Sequence, residues 1–512
     1  MFHSILYQST DLPKNTKGQP TKEEQKDLKL DQILCYLEKY SLWDGINNVF
    51  LSPLDDENEI RYRQDVMKDF SKTTFRKKSE DFSKKILELE KERLKLKDEQ
   101  HSQKDLMNCS RYLYLADSYC RAVEQFFSSC KGECSSFGMT RFFQEFEQYK
   151  NGPKYTELSK EVSGLYKQFE KIHFCMLVKD GKFKIRPYEG QKALDDEVKE
   201  LFSRFDQSDH LKEEVKEPQL CYRHHIDTAV LNLLSHWYPK EMQLLREFAS
   251  EYYDFLEEGI LSFAREIYFY ISWYHMIDPL LEKGLPFCTP ALSKEEKKIY
   301  CEDGFDLALA IHLYEEGENT VTNSFFLKGK EKIIVVTGPN QGGKTTFARL
   351  IGQIFYLSSL GYPVPGTRAQ LSCFDHIYTH FNQKEDLEHF NGKLKDDIVR
   401  LQEIEKNATA ESILIINEIY ASTTLLDAVF LGEKMMEYIK KTGCIAVVVT
   451  FLDELAKEDG QTVSMMSTVD ENNPSIRNYK MIRKPADGLA YAECLAKKYG
   501  LNYEELNRRL KR

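Results

Sequence analysis

The residues with the most specific spacing are Gly338-Pro339-Asn340-Gln341-Gly342-Gly343-Lys344-Thr345, with Thr346 following. They fit G-x-x-x-x-G-K-[ST], a loop whose backbone N–H groups turn inward around a phosphate. The apolar run KIIVVTG (332–338) precedes the loop, and TTFARLIGQIFYLSSLG (345–361), a helix-forming stretch, follows it. A strand before and a helix after is the context this motif needs. The glycines allow close backbone approach, and the helix N-terminus adds partial positive charge. Lys344 would reach β- and γ-phosphates, and the Thr345 hydroxyl would meet Mg²⁺. ATP and Mg²⁺ are therefore the expected ligands.

A second acidic element should complete such a site. SILIINE (412–418) is an apolar run that ends in Asn417-Glu418. Glu418 is placed to polarise an attacking water. Asn417 stands where a carboxylate normally holds the Mg²⁺ water shell; its amide oxygen accepts a hydrogen bond but carries no charge. Asn417 could equally just end a core strand. Asp427 lies nine residues after Glu418, behind Ser422, Thr423 and Thr424, which can cap the next helix. Two readings of that segment stand: capping alone, or a loop that meets a partner subunit's nucleotide.

The runs 332–338, 412–418 and CIAVVVTF (444–451) are all Ile/Val-rich, as strands buried on both faces must be. They alternate with helical patterns, so the region after about 320 reads as α/β with a parallel sheet. What precedes it is mostly helical. Residues 76–97 hold nine Lys/Arg against five Asp/Glu, which suits a solvated helix face or a helix that meets phosphates. Tyr155, Leu158, Val162, Leu165, Phe169 and Ile172 step by three and four, a heptad stripe that runs into a hairpin-like stretch around Asp180-Gly181. From 239 to 282 the stripe Leu244, Phe248, Phe255, Phe263, Ile267, Ile271, Tyr274 predicts one helix of over 30 residues, about 50 Å long.

The net charge of −11 argues against whole-surface attraction to nucleic acid but allows a local basic patch, such as the +6 of residues 477–512. The 12 cysteines are scattered; Cys130 and Cys134 form the closest pair, and reduced thiols suit them better than zinc. His224-His225 reads as structural, since adjacent histidines point apart on a helix. No run of about 18 apolar residues occurs and no secretory leader is evident at the start, so no membrane association and a cytoplasmic location are expected.

TGPNQGGKTT together with NEIYASTTLLDAV resembles the ATPase domain of the MutS family of DNA mismatch-repair proteins, whose loop reads TGPNxxGKST and whose later segment reads DEIGRGTSTxDG. Thr450-Phe451 occupies the place of that family's Thr-His, and Glu385-Asp386-Leu387 resembles its Asp-Asp-Leu. ADGLAYAECLAKKYGL (486–501) resembles its closing helix-turn-helix, and LSPLDDENEIRYRQDVM (51–67) its core-domain start. The resemblance implies an N-terminal segment (1–30) and a helical core and lever domain (31–320) with a reduced β-hairpin clamp-like tip at about 155–217. An ABC-like P-loop ATPase domain (321–485) and a dimerising helix-turn-helix (486–512) would follow. It implies Asn340 and Lys344 on the γ-phosphate, Thr345 on Mg²⁺, Asn417 on Mg²⁺ through water, Glu418 as catalytic base and Asp427 in a cross-dimer loop. Gly338, Pro339, Gln341, Gly342, Gly343 and Thr346 complete the nucleotide-binding set.

Three departures bear on turnover. Asn417 replaces the family's Asp, Phe451 its His, and Gly392-Lys-Leu-Lys-Asp-Asp its hydroxyl-bearing GRSTF-like segment. A Phe-x-Glu wedge for mismatches is expected to be missing, because Phe143-Gln144-Glu145 lies in an aromatic helical run that reads as core; the connector domain is expected to be missing too. The expected activity is that of a slow, DNA-dependent ATPase, acting as a homodimeric clamp on duplex or branched DNA in repair or recombination, with a possible repair-protein partner. The alternative is a nucleotide-gated dimeric scaffold that binds ATP with little turnover and recruits a protein.

Overall fold

A computed structural model describes residues 2–9, 18–98, 105–179, 182–190, 225–292, 298–381, 393–420, 423–469, 477–486 and 503–510. The chain forms two compact units that do not follow chain order. One holds residues 1–2, 81–131 and 143–264; the other holds 3–80, 132–142 and 265–512.

The second unit carries the α/β region. Its main sheet uses β1 (Ile333–Thr337), β2 (Ile377–Phe381), β3 (Ile413–Asn417), β4 (Ile445–Val449), β5 (Thr462–Val469) and β6 (Arg477–Arg483). The order across the sheet is β2-β3-β4-β1-β5-β6. Every neighbouring pair is parallel except β5–β6. β1, β3 and β4 are buried at all five positions, which explains their unbroken apolar sequences. Three helices serve the site: α1 (Lys344–Ser359), α2 (Lys393–Asn407) and α3 (Leu425–Thr442). Leu401 and Ile404 of α2 and Met435, Met436 and Ile439 of α3 share one apolar cluster with β1, β3 and β4. A smaller mixed sheet, in the order 291–292, 368–371, 298–304, 323–328, belongs to the same unit.

The 51–67 segment explains its own polar residues. Asp56 caps the helix Glu57–Phe70 by accepting from the N–H groups of Asn58 and Glu59. Arg63 is fully buried and donates to Leu6 O at 2.9 Å, with its guanidinium over the rings of Tyr7 and Phe269. Residues 4–6 are therefore part of the core of this unit. Glu266 fixes them, accepting from Ile5 N at 2.8 Å and Ser4 Oγ at 3.0 Å, while Tyr270 donates to Ile5 O.

The other unit is helical, with one β-hairpin. Phe82 stacks on Phe126 at 4.2 Å, and Phe143 and Phe146 pack against the same ring. Phe143 of the Phe-x-Glu triplet is thus a buried core residue. Tyr155, Leu158, Val162 and Leu165 of the heptad stripe form the buried face of helix Pro153–Phe169, whereas Phe169 is half-buried and Ile172 lies beyond the helix. The hairpin pairs Phe174–Lys179 with Lys182–Pro187, Phe174 opposite Pro187. In helix Thr73–Asp98, Ile86, Leu89 and Leu96 are buried while Lys84, Lys91, Lys95 and Lys97 are exposed, the pattern of a solvated basic face.

The single helix expected over 239–282 is two helices, Pro239–Glu251 and Glu258–Glu282. Leu244 is exposed, not part of the stripe. The link between the helices buries the adjacent residues Phe255 and Leu256, and Asp254 pairs with Arg93 at 2.6 Å. Phe248 and Phe255 keep their seven-residue spacing across the break, so the apolar period conceals it. The His224-His225 pair begins outside the described residues, as do Glu385-Asp386-Leu387 and most of 486–501. Among the described residues the cysteines form no disulfide, and no metal-holding cluster occurs. No described helix is long and apolar enough to cross a membrane.

Burial pushes the Glu266 carboxyl up to about 7, against the opposing pull of Ile5 N–H, the Ser4 hydroxyl and the Arg63 guanidinium. An unfolded glutamate titrates near 4.5, so the folded chain holds an extra proton between these values. The stability this contributes is complete below 4.5 and is lost as pH rises through about 7. Glu266→Gln keeps an acceptor for Ile5 and Ser4 but cannot titrate. Urea unfolding between pH 4.5 and 7.5 should show a stability loss for the wild type that exceeds the variant's by roughly 1–3 kcal/mol. Parallel pH profiles would contradict this assignment.

Candidate phosphate-binding site

The glycine loop joins β1 to α1. Gly338 leaves the strand at φ 115° and Gly343 enters the helix at φ 87°, both in backbone regions that favour glycine. Gln341 is also left-handed, at φ 60°. Space matters as much as conformation. A Cβ on Gly342 would lie 2.2 Å from Ser467 Oγ and 2.9 Å from Pro339 O, so the loop rests directly on β5. Ser467 is fully buried, and its hydroxyl has no hydrogen-bond partner among the described residues.

Lys344 folds its side chain back into the loop. Its ammonium donates to Gly338 O at 2.8 Å, Pro339 O at 3.2 Å and Asn340 Oδ1 at 3.4 Å. Desolvation pulls its pKa below the ordinary lysine range; the nearby Glu418 carboxylate opposes that shift, and the Arg477 guanidinium adds to it. A buried cation whose partners are mainly carbonyl oxygens suits a site that receives an anion.

Thr345 points the other way. Its hydroxyl donates to Asn417 Oδ1 at 2.9 Å, joining the first turn of α1 to the end of β3. The two candidate Mg²⁺ residues are therefore adjacent. Glu418 follows immediately on a turn at φ 53°, its N–H donating to Val449 O. Gln341, Gly342, Gly343, Lys344, Thr345, Thr346 and Glu418 all line one cavity of about 520 Å³. That volume lies within the range of ordinary small-ligand sites.

Asp427 does not line this cavity. Thr424 caps α3 by accepting from Asp427 N, and the Asp427 carboxylate accepts from the Thr424 hydroxyl at 2.8 Å. The capping reading of this segment is met within the chain. Ser422 lies outside the described residues. Phe451 is half exposed at the end of β4, and the buried Thr450 accepts from Leu452 N. The segment that replaces the hydroxyl-bearing signature is described from Lys393 onward and forms the start of α2.

The rest of the cavity escaped the reading of the sequence. Its far wall comes from residues 318–321, Asn323 and Tyr479. Tyr479 takes φ 57° on β6, with its ring against the Gly343 position. Asn323 fixes that strand, donating to Tyr479 O at 3.0 Å and accepting from Met481 N at 2.8 Å. Asp306 also lines the cavity while holding Arg349 at 3.1 Å and Gln353 at 2.8 Å on α1. No local motif marks these residues; only the pairing of β6 with β5 and the packing of 306–323 bring them to the loop.

Residues 334–506 match the family profile of MutS domain V. Similar curated proteins include a DNA mismatch repair protein MutS from Clostridium kluyveri, 26% identical over 229 residues, covering 43% of this chain and 26% of that protein. A DNA mismatch repair protein MutS from Thermotoga sp. is 28% identical over 220 residues, 41% of this chain and 27% of that protein. An Endonuclease MutS2 from Staphylococcus aureus is 26% identical over 226 residues, 43% of this chain and 30% of that protein. The match thus spans between about a quarter and a third of the length of these relatives. The region that carries the phosphate-loop geometry is thus similar to MutS domain V, with MutS and MutS2 proteins among its relatives.

Proposed function

We propose that this chain binds ATP with Mg²⁺ at the Lys344 loop, hydrolyses it slowly, and couples nucleotide state to DNA as a dimeric clamp in repair or recombination. The observation that carries this reading is the convergence of Lys344, Thr345 and Glu418 on one cavity, with Asn417 joined to it by the hydrogen bond from Thr345. The loop amides and Lys344 would hold the phosphates, with Asn340 beside the γ-phosphate. Gly338, Pro339, Gln341, Gly342, Gly343 and Thr346 would shape the cradle, and Tyr479 would stack on the base. Thr345 and, through water, Asn417 would hold the Mg²⁺. When bound, that ion would neutralise developing charge on the phosphate oxygens.

Glu418 would accept the proton of the attacking water. Asn417 supplies a dipole where a charge would grip the metal more firmly, so turnover is expected to be slow. Asp427 would act across the dimer, and residues 486–512 would contribute to dimerisation. Residues 31–320 would serve as core and lever, and the hairpin region at about 155–217 as the clamp. The relatives named as mismatch-repair proteins support a DNA role.

A second reading, a nucleotide-gated scaffold with little turnover, is favoured by the neutral Asn417 amide and by Phe451 in place of a polar residue. Glu418→Gln separates the two. For a working ATPase, steady-state turnover should fall about 100-fold or more with ATP affinity within about threefold of wild type. For a scaffold, the wild type and the variant would be equally inert.

DNA binding should be salt-sensitive and should change with nucleotide. Affinity for duplex, mismatched and branched DNA, measured from about 50 to 200 mM salt, is expected to fall steeply. ATP and a non-hydrolysable analogue are expected to shift it. Affinity and dimerisation that ignore both salt and nucleotide would contradict the clamp.

A further inference from the structure

Glu418 leaves β3 on a backbone turn that needs outside support. Glu418 has φ 53° and Tyr420 φ 61°, both in the left-handed region that side-chain-bearing residues seldom enter. Three contacts hold the turn. Glu418 N donates to Val449 O at 2.9 Å. Ile419 and Tyr420 bury their side chains in the cluster that includes Leu401 and Ile404 of α2. Tyr420 N donates to Asp397 Oδ2 at 3.4 Å, a side-chain hydrogen bond to the backbone of this turn.

The Asp397 Oδ1 lies 3.0 Å from His380 Nε2, a close approach without hydrogen-bond geometry, and His380 is buried on β2, where it pairs with Ile416 of β3. One turn further along α2, Arg400 donates to Thr379 O at 2.9 Å and to Asp27 Oδ2 at 3.2 Å. The helix that presents Asp397 is thus pinned to the strand beside the one that ends at Glu418. Asp397 does not line the cavity at the phosphate loop.

We propose that Asp397, presented by the pinned helix α2, is a positioning residue for Glu418: its carboxylate fixes the left-handed turn at 418–420 and so sets where the Glu418 carboxylate points. This rests on the reading of Glu418 as the base. It differs from that reading because it predicts an effect on turnover that is separate from nucleotide binding, through a residue outside the cavity.

The test uses the full chain as wild type, Asp397→Ala, Asp397→Asn and Glu418→Gln. Asp397→Ala should lower kcat for ATP by about tenfold or more, with KM within about threefold. Asp397→Asn keeps a side-chain oxygen for Tyr420 N–H and should recover kcat to within about threefold of wild type. Wild-type kcat in Asp397→Ala, or a loss in Asp397→Asn as deep as in the alanine, would overturn the proposal. Deuterium exchange at the Tyr420 amide supplies a readout that needs no turnover. It should be faster by about tenfold in Asp397→Ala and close to wild type in Asp397→Asn. Equal exchange in all three proteins would overturn the proposal, whether or not the wild type hydrolyses ATP. Absence of wild-type turnover, by contrast, would count against Glu418 as base and leave the exchange result to decide on Asp397.

Discussion

A buried lysine ammonium sits at the centre of this site, held by the carbonyl oxygens of its own loop. Taking such a charge out of water is costly unless it is well partnered. Lys344 meets the cost through Gly338 O and Pro339 O, which face it only because Gly338, Gln341 and Gly343 take left-handed backbone. Gly342 must remain bare because β5 presses Ser467 against it. The loop conformation, the strand behind it and the orientation of Lys344 are therefore one constraint.

From that constraint the remainder of the site follows along two paths. Thr345, next to Lys344, bridges to Asn417 and ties α1 to β3. The turn after Asn417 then carries Glu418, anchored on one side by β4 and on the other by α2 through Asp397. Further along α1, Asp306 receives Arg349 and Gln353 with its carboxylate fully enclosed. Arg349 also donates to Asp27 O, and Gln353 to Leu28 O, so the N-terminal helical segment is fastened to the same helix. Each buried charge along these paths has a partner, as a stable interior requires.

Much of this was legible in the sequence because it is local. Eight contiguous residues encode the loop, and unbroken apolar runs mark β1, β3 and β4. The heptad stripe on Pro153–Phe169 and the hairpin that follows were also readable, each needing only short-range periodicity. The break at 252–257 was not, because the apolar period continues across it. Tyr479, Asn323 and Asp306 could not be read either. Asn323 and Asp306 lie 15 and 32 residues before the loop and Tyr479 lies 134 after it, joined to it by sheet pairing and packing that no spacing rule encodes. Asp397 falls in the same class, its role visible only where α2 crosses the Glu418 turn. For Asp427 the local signal was sound but had two meanings, and within one chain the helix cap is the one observed.

Nucleotide binding at the Lys344 loop is what every other functional statement requires, and calorimetric titration of ATP with Mg²⁺ into the wild-type chain and Lys344→Met tests it most directly. Saturable binding of one nucleotide per chain, weakened about tenfold or more in the variant, is the expected result. No saturable binding by the wild type, or equal affinity in the two proteins, would contradict a nucleotide site at this loop.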